Sequence, residues 1–192
     1  MREMTLVWPS LTYLPSYKAA LERGWSPDSL RGAIVAREEL DRIARDAGAF
    51  VASLVDKEAA GAPIVLPDGA TARRLPGYRR WMWDGEFCGS IGLRWQPGTE
   101  ALPPHCLGHI GYGVVPWKQR RGYATQALRD MLEEAKALRL RYVEITTDPD
   151  NFASRRVIEV NGGEVVEEFV TPVSLGAQPK VRYRVHFQEE GT

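Results

Sequence analysis

The sequence predicts an α+β fold, in which a mixed and mostly antiparallel sheet has helices packed on its faces. Its predicted elements run strand, two helices, three strands, helix, strand, helix and two strands. Strands that follow one another without an intervening helix pair most simply as antiparallel neighbours. Only the strand–helix–strand unit at 108–148 requires a parallel pair. The length of 192 residues fits a single domain over 1–192.

The N-terminal part of the chain contains one predicted strand and two predicted helices. Residues 4–8 predict a strand that ends at Pro9, and residues 16–23 predict a short helix. Apolar residues spaced three and four apart predict a long amphipathic helix over 38–56. Residues 57–70 are rich in Ala, Gly, Pro and Asp, which is typical of a loop.

A β-hairpin and a third strand are predicted next. Residues 78–83 and 87–95 flank the segment Asp84-Gly85-Glu86, and an Asp-Gly pair favours a tight hairpin turn. A second connection leads to an apolar strand over 107–115.

Helices and strands alternate in the C-terminal part. Apolar residues fall on one stripe of a predicted helix over 122–140, and 142–148 is rich in the β-branched residues typical of strands. Residues 151–163 predict a helix with Asn151 at its N-cap. Two further strands, which could pair with each other, are predicted at 164–170 and 181–187.

Composition and charge exclude several classes of function. Lys+Arg and Asp+Glu each total 25, so the chain has no overall positive field to hold nucleic acid or an anionic membrane. It has no run of about 18 apolar residues, and its charged start does not resemble a signal peptide, so we expect a cytoplasmic protein. The two cysteines and three histidines lack metal-ligand spacing, so no metal is expected. A bound anion must therefore be held by a local arrangement.

The connection after Pro116 is the strongest candidate for such an arrangement. A polar turn follows this proline, and Gly122 opens a long helix. Free amide groups at a helix start point outward and carry partial positive charge, which favours a bound phosphate. Gly122 removes a side chain that would block the phosphate, while Lys118, Arg120 and Arg121 add positive charge at the rim. An ordinary helix start with solvated arginines is an equally good explanation of these residues alone.

Two other phosphate-binding motifs are excluded. The glycine-rich stretch at 108–113 does not complete G-x-G-x-x-G before a helix, because Pro116 stands where the third glycine is required. The chain also lacks G-K-[ST], so it contains no Walker-type phosphate loop.

Two motifs in the correct order carry a family resemblance. Residues Gln119-Arg120-Arg121-Gly122-Tyr123-Ala124 match the Q/R-x-x-G-x-G/A signature of the GNAT superfamily of N-acetyltransferases. Residues 151–163 are similar to the next motif of that family, N-x-x-S-x-x-V-I-E-x-N-G-G, at a fitting distance. The chain therefore resembles a bacterial GNAT acetyltransferase, closely over the core at 76–187 and less over the variable part at 1–70.

The resemblance implies acetyl-CoA as the acetyl donor. The diphosphate of coenzyme A would lie on the amides of residues 120–125, and its pantetheine arm would add to the edge of the preceding strand. Strands 109–115 and 142–148 must then splay apart. Asn151 is similar to the family asparagine that bonds the arm, and a role as helix N-cap is compatible with this. The implied cofactor-binding residues are Gly113, Val114, Val115, Gln119, Arg120, Arg121, Gly122, Tyr123, Ala124, Thr125, Asn151 and Ser154.

The same resemblance suggests catalytic residues. His109 is the preferred general base, because family members carry Glu or His on this strand and an ordinary pKa near 6.5 suits the task. The alternative is a structural histidine bonded to a neighbour. Ile158 stands where many members place the tyrosine that protonates the leaving thiolate, so Ser154 becomes the candidate acid, and the alternative is a thiolate that leaves unprotonated. An amide N–H at Val114 or Val115 would stabilise the oxyanion. The further candidate bases are Glu144, Asp148 and Tyr112.

The expected acceptor is a small-molecule primary amine, bound between the N-terminal helices and the last strands. Neither nucleic acid nor a membrane is expected as a partner, and the final strands could pair in a homodimer. Two alternatives stay open at this point. One is a non-catalytic acyl-CoA-binding sensor or scaffold, which the missing tyrosine at position 158 favours. The other is a transferase for longer acyl chains.

Overall fold

The structure of the protein is a computed structural model that describes residues 3–28, 31–66 and 69–187. Its helices are α1 (Leu14–Glu22), α2 (Ala33–Arg45), α3 (Ala47–Ala52), α4 (Tyr123–Ala137) and α5 (Phe152–Val160). Its strands are β1 (Thr5–Val7), β2 (Val55–Asp56), β3 (Ile64–Val65), β4 (Thr71–Ala72), β5 (Gly77–Trp83), β6 (Phe87–Arg94), β7 (Ile110–Val114), β8 (Tyr142–Thr147), β9 (Glu164–Val170) and β10 (Pro179–His186).

Two antiparallel sheets form the centre of the molecule. The larger sheet has the order β1-β5-β6-β7, with β2 also paired to β5, and the smaller sheet has the order β8-β10-β9. The predicted hairpin is β5–β6, with Met82 opposite Gly89 and Trp83 opposite Phe87 across the turn. The predicted final pair is β9–β10. The predicted α+β class is confirmed.

Strands β7 and β8 meet at one end and share no ladder in the described part of the chain. The His109 N–H donates to the Glu144 carbonyl at 2.7 Å, and the Glu144 N–H donates back to His109 Nδ1 at 2.9 Å. Beyond this contact the backbones separate. The strand–helix–strand unit at 108–148 therefore forms a splayed pair and joins two sheets, with a gap toward the C-terminal ends of its strands.

The N-terminal helical region differs from the prediction of one helix over 38–56. Asp46 has extended backbone angles, and its carboxylate accepts the Ala49 N–H at 2.8 Å, so it ends α2 and caps α3. Helix α3 ends at Ala52, and the chain then continues into β2. Within the predicted loop at 57–70, Ile64–Val65 pairs with Thr71–Ala72 as the small hairpin β3–β4.

Separate apolar cores cover the two faces of the sheets. On one face, helix α4 buries Leu128 and Met131 against strand residues such as Ile91. On the other face, Tyr17 of α1 stacks on Trp81 of β5, with ring centroids 4.6 Å apart. The second core joins α1, α2 and α3 to the larger sheet. The first core also contains residues of β7, β8 and β10, so α4 covers both sheets across the splay, whereas the second core packs on β5 and β6.

Candidate active site

The loop before α4 presents a row of unpaired backbone amides. Pro116–Lys118 forms a short 3-10 helix, Arg120 and Gly122 have positive φ angles of 60° and 80°, and α4 starts at Tyr123. The first α4 hydrogen bond runs from the Gln126 N–H to the Gly122 carbonyl at 3.0 Å. The amides of residues 120–125 have no acceptor within the described ranges. A Cβ on Gly122 would project into open space, so glycine is required there by φ and leaves room for a ligand.

A cleft of about 500 Å³ lies between this loop, β7 and the start of α5. Most of the residues predicted to bind the cofactor line it: Gly113, Val114, Gln119, Arg120, Gly122, Tyr123, Ala124, Thr125, Asn151 and Ser154. Arg121 and Val115 do not line it. Arg121 is exposed beside the loop, where its guanidinium reaches the Trp117 carbonyl at 3.5 Å. The structure thus brings together two motifs that are about 30 residues apart.

Alternate residues of β7 point their backbone N–H and C=O groups away from β6, toward the free edge of the strand. The Val115 N–H donates to the Cys88 carbonyl at 2.9 Å, and Gly113 lies opposite Ser90 in the same ladder. In an antiparallel pair, the residues between such hydrogen-bonded positions point their N–H and C=O groups away from the partner strand. Tyr112 and Val114 therefore face the splay. The expectation for Val115 is corrected, because its amide is occupied and its side chain is fully buried.

Lys118 is not the mobile charge that the sequence suggested. Its ammonium lies 2.9 Å from Asp84 Oδ2 and 2.6 Å from Glu86 Oε1, and its side chain is almost fully buried. The Tyr123 hydroxyl donates to the same Asp84 oxygen at 2.7 Å. We call the segment with the unpaired amides, residues 120–125, the amide loop. Through its bonds to Lys118 and Tyr123, Asp84 attaches this loop to the β5–β6 turn. Arg120 and Arg121 remain as the charges at the rim.

Asp84 is a site residue that sequence reasoning missed. Burial by itself raises the pKa of this carboxyl group, but the hydrogen bonds from Lys118 and Tyr123 outweigh burial and lower the pKa to about 2. Its position in an Asp-Gly turn predicted a hairpin and gave no sign of the loop that it contacts, which lies 34 residues away.

Two hydroxyl groups meet across the cleft. Asn151 caps α5 by accepting the Ser154 N–H at 3.0 Å, which places the Ser154 side chain at the cleft wall. Tyr112 Oη lies 3.0 Å from Ser154 Oγ. Burial raises the pKa of Tyr112 to about 12, so its hydroxyl keeps its proton at neutral pH. Ile158 is fully buried in the core on the α4 side and presents no polar group to the cleft.

His109 lies at the junction of the sheets and not in the cleft. Its side chain is fully buried, Nδ1 accepts the Glu144 N–H, and Nε2 has no partner in the described part of the chain. Burial outweighs the attraction of Glu144 and lowers the pKa of His109. We therefore do not carry His109 forward as the general base, because it reaches no group in the cleft.

The other candidate bases are also engaged. Glu144 pairs with Arg184 at 2.7 Å, and Asp148 pairs with Lys180. Tyr112 retains its proton. Among the residues that the structure describes, no carboxylate or imidazole lines the cleft.

A metal-binding cluster and a membrane-spanning helix are both absent from the described ranges. No group of three or more His, Cys, Asp or Glu side chains is placed to hold a metal ion. No helix in residues 3–28, 31–66 or 69–187 has the length and apolar character needed to cross a membrane.

The site thus combines a loop of outward-facing amides with a splayed strand pair. A family model described as the acetyltransferase (GNAT) domain matches residues 39–164. The chain belongs to the GNAT acetyltransferase family. No curated protein matches the chain in sequence.

Solved structures of bacterial acetyltransferases share the fold. One is an acetyltransferase from Salmonella typhimurium that modifies the N-terminal serine of ribosomal protein L7/L12, with a TM-score of 0.63, 16% identity and coverage of 96% of this chain and 95% of that chain. Another is the microcin C7 self-immunity acetyltransferase MccE with acetyl-CoA and AMP, with a TM-score of 0.60, 12% identity and coverage of 96% and 93%. An acetyltransferase from Agrobacterium tumefaciens has a TM-score of 0.54, 20% identity and coverage of 97% and 93%.

Proposed function

We propose that this protein is an acetyl-CoA-dependent N-acetyltransferase that moves an acetyl group to a primary amine in a ternary complex. The observation that supports the proposal is the row of amides at residues 120–125, which has no acceptor in the described chain and opens onto the cleft beside the free edge of β7. Six adjacent unpaired donors at a helix start suit a diphosphate, which has many acceptor oxygens.

The cleft fits coenzyme A in two further respects. Arg120 and Arg121 add positive charge beside the amides, in a chain whose net charge is zero. The arm of coenzyme A carries amide groups, and the outward backbone groups of Tyr112 and Val114 can pair with them as a neighbouring strand would. Acetyl-CoA bound there supplies an acetyl group activated as a thioester.

The protein contributes mainly by placing the reactants and by stabilising charge. The Val114 N–H faces the splay and suits the oxygen that becomes negative when the amine attacks the carbonyl. The Tyr112 and Ser154 hydroxyls are placed to donate a hydrogen bond to the sulfur that leaves. With a pKa of about 12, Tyr112 is a weaker acid than an ordinary thiol, so it stabilises the thiolate without giving up its proton. The tyrosine–serine pair thus takes the place of the tyrosine that Ile158 replaces.

No described group in the cleft is available as a base, so the amine loses its proton to water. Acetyl transfer then depends on holding the neutral amine against the carbonyl, which can lower the barrier by several kcal/mol. We therefore expect the rate to rise with pH toward the pKa of the acceptor amine. The ionisation of His109 should add no inflection to this pH–rate profile.

A thiol-release screen tests the proposal. The protein is incubated with acetyl-CoA and a panel of primary amines, and free coenzyme A and the acetylated product are quantified. Amine-dependent release of both in equal amounts supports the function.

The alternative of a non-catalytic acyl-CoA sensor retains one observation in its favour, the absence of a base from the described cleft lining. Thermal stabilisation by coenzyme A, together with no thiol release for any amine, would support the sensor. A failure of coenzyme A to stabilise the protein would contradict both functions. Faster turnover with propionyl-CoA or butyryl-CoA than with acetyl-CoA would favour a longer acyl donor.

A further inference from the structure

A second cavity, of about 280 Å³, lies at the end of β5 and β6 where Gly77 pairs with Arg94. The basic residues in its lining are Arg74, Arg79, Arg94 and His105, and we call it the cationic cavity. Asp56 is the acidic residue in its described lining. None of these side chains belongs to the coenzyme A cleft.

Charge in the cationic cavity is only partly balanced. Arg79 lies 3.2 Å from the buried carboxylate of Glu39, and Arg74 lies 3.8 Å from Asp56. Arg94 lines the cavity and is exposed to solvent, and it forms no ion pair with a carboxylate in the described chain. His105 Nε2 is shielded from solvent and has no hydrogen-bond partner there. One guanidinium and one imidazole nitrogen are therefore left for a ligand.

The charges left unpaired in the cationic cavity indicate the charge of the ligand that it would bind. One uncompensated guanidinium matches one negative charge, and its paired N–H groups match the two oxygens of a carboxylate. A phosphate dianion would leave excess negative charge beside Asp56, because the other two arginines are already paired. The chemistry favours a carboxylate.

The position of Arg94 links the cationic cavity to the site of transfer. An Arg94 Nη atom lies 3.7 Å from where a Cβ of Gly111 would be, so the guanidinium sits above β7. Gly111 precedes Val114 by three residues, a distance of about 10 Å along an extended strand. Gly111 and Gly113 lie on one face of β7 and add no side chain of their own to it, and Trp25 lies 3.9 Å from the corresponding point at Gly113. A molecule held at Arg94 can thus extend along β7 as far as Trp25, beside the Val114 amide.

We propose, on the basis of the N-acetyltransferase function above, that the acceptor carries a carboxylate that binds Arg94 in the cationic cavity while its amine lies at Val114. The acceptor class is an amino acid or short peptide whose amine and carboxylate are several bonds apart. Arg94 is a specificity-determining residue and takes no part in the transfer itself.

Matched acceptors test this inference. 6-Aminohexanoate and glycylglycine are each compared with their carboxamides by thiol release from acetyl-CoA. We expect at least one acid to exceed its carboxamide tenfold or more in kcat/KM. Arg94→Gln should remove that preference, chiefly by raising the KM of the acid to that of its carboxamide. Arg94→Lys should recover part of it, while the exposed Arg129→Gln should change neither rate.

Binding separates this inference from the proposed function. The same acids are titrated by calorimetry into protein saturated with coenzyme A. An acid that binds wild type but not Arg94→Gln supports the carboxylate site, even if no amine releases thiol and the transferase proposal fails. Equal behaviour of acids and carboxamides, binding that is insensitive to Arg94→Gln, or no binding by any acid overturns the inference. Activation of carboxamide turnover by added acetate would assign the cavity to a separate anion and also overturns it.

Discussion

Tyr112 Oη lies 3.0 Å from Ser154 Oγ, and this hydrogen bond joins β7 to the first turn of α5 across the gap between the two sheets. The same hydroxyl also lies 3.3 Å from the Ser154 carbonyl. Strands β7 and β8 separate beyond His109. The contact between Tyr112 and Ser154 bridges the gap that this separation leaves. It places two hydroxyl groups beside the position proposed for the leaving sulfur.

Replacement of Tyr112 by Phe removes one of these donors. A hydrogen bond to a charged group contributes about 1.5–3 kcal/mol, so we expect kcat to fall about 10- to 100-fold with little change in coenzyme A affinity. Ser154→Ala should act in the same direction. Because the Tyr112 pKa is about 12, its hydroxyl stays protonated below that value, and the wild-type rate should show no decline from its ionisation between pH 6 and about 10.

Tyr13→Phe is the matched control for this pair, since the Tyr13 ring packs against Trp83 with the ring planes tilted by 50° and its hydroxyl has no partner in the described chain. An equal loss of kcat in both tyrosine variants would remove the proposed role of Tyr112.

Replacement of Gly122 by Val tests the amide loop. Gly122 has a φ of +80°, where a side chain costs about 1–2 kcal/mol, and relaxation of that strain would turn the neighbouring amides away from a shared ligand. We expect coenzyme A affinity, measured by calorimetry, to fall at least tenfold. Gly98 has the same φ of +80° and equally open surroundings. Gly98→Val should therefore lower the free energy of unfolding similarly and leave affinity unchanged. Unchanged affinity in Gly122→Val would count against the diphosphate assignment.

Asp84→Asn tests the fastening of the same loop. The folded-state pKa of about 2 lies below the ordinary value of 3.8, so the stability that ionised Asp84 contributes is present above about pH 4 and lost as the pH falls toward 2. The difference corresponds to about 2 kcal/mol. Denaturant unfolding of wild type should show this loss between pH 4 and 2, and the variant should lack it.

The variant should also bind coenzyme A more weakly at neutral pH, because Lys118 and Tyr123 lose their shared acceptor. Asp41→Asn, on the exposed face of α2, is the control and should leave both measurements unchanged. An acid profile of Asp84→Asn that follows wild type would show that Asp84 is not the titrating group.

His109→Ala should affect stability more than the chemical step. The substitution leaves the buried Glu144 N–H without its acceptor, which costs about 1–3 kcal/mol. The pKa of His109 is lowered by burial, so its contribution is present above the ordinary value of 6.5 and is lost as the pH falls below it. Wild type should lose stability in that window, and His109→Ala should not. The exposed His186→Ala serves as control.

The pH dependence of kcat in folded His109→Ala should match that of wild type. Disappearance of a limb near neutral pH would restore His109 as the base, in contradiction to its placement at the sheet junction.

Local sequence patterns were sufficient for most elements. The Asp84-Gly85 pair predicted the hairpin, and Asn151 predicted the start of α5, where its side chain accepts the Ser154 N–H at 3.0 Å. The same reasoning missed the break at Asp46, because the apolar spacing continues through it while its bond to Ala49 ends one helix and begins the next. Competing local signals of this kind are decided by packing against the rest of the chain.

Two residues whose surroundings differ from the sequence-based expectation have partners far along the chain. His109 meets Glu144 across 35 residues, and Lys118 meets Asp84 across 34. Their residue types suggested a base and a mobile cation. In the structure His109 Nδ1 accepts a buried backbone N–H, and the charge of Lys118 is compensated by Asp84 and Glu86.

The sequence by itself determined the class of fold, the amide loop around Gly122 and the cap at Asn151, because each depends on residues a few positions apart. Only the tertiary structure decided which amides of β7 face the gap, which charges near the loop are compensated, and that Arg94 is left without a carboxylate partner in the described chain. Those outcomes depend on which distant residues the fold brings together. Lys118 and Asp84 share a buried site, where water no longer competes for hydrogen bonds, whereas Arg94 is exposed and keeps its charge in contact with solvent.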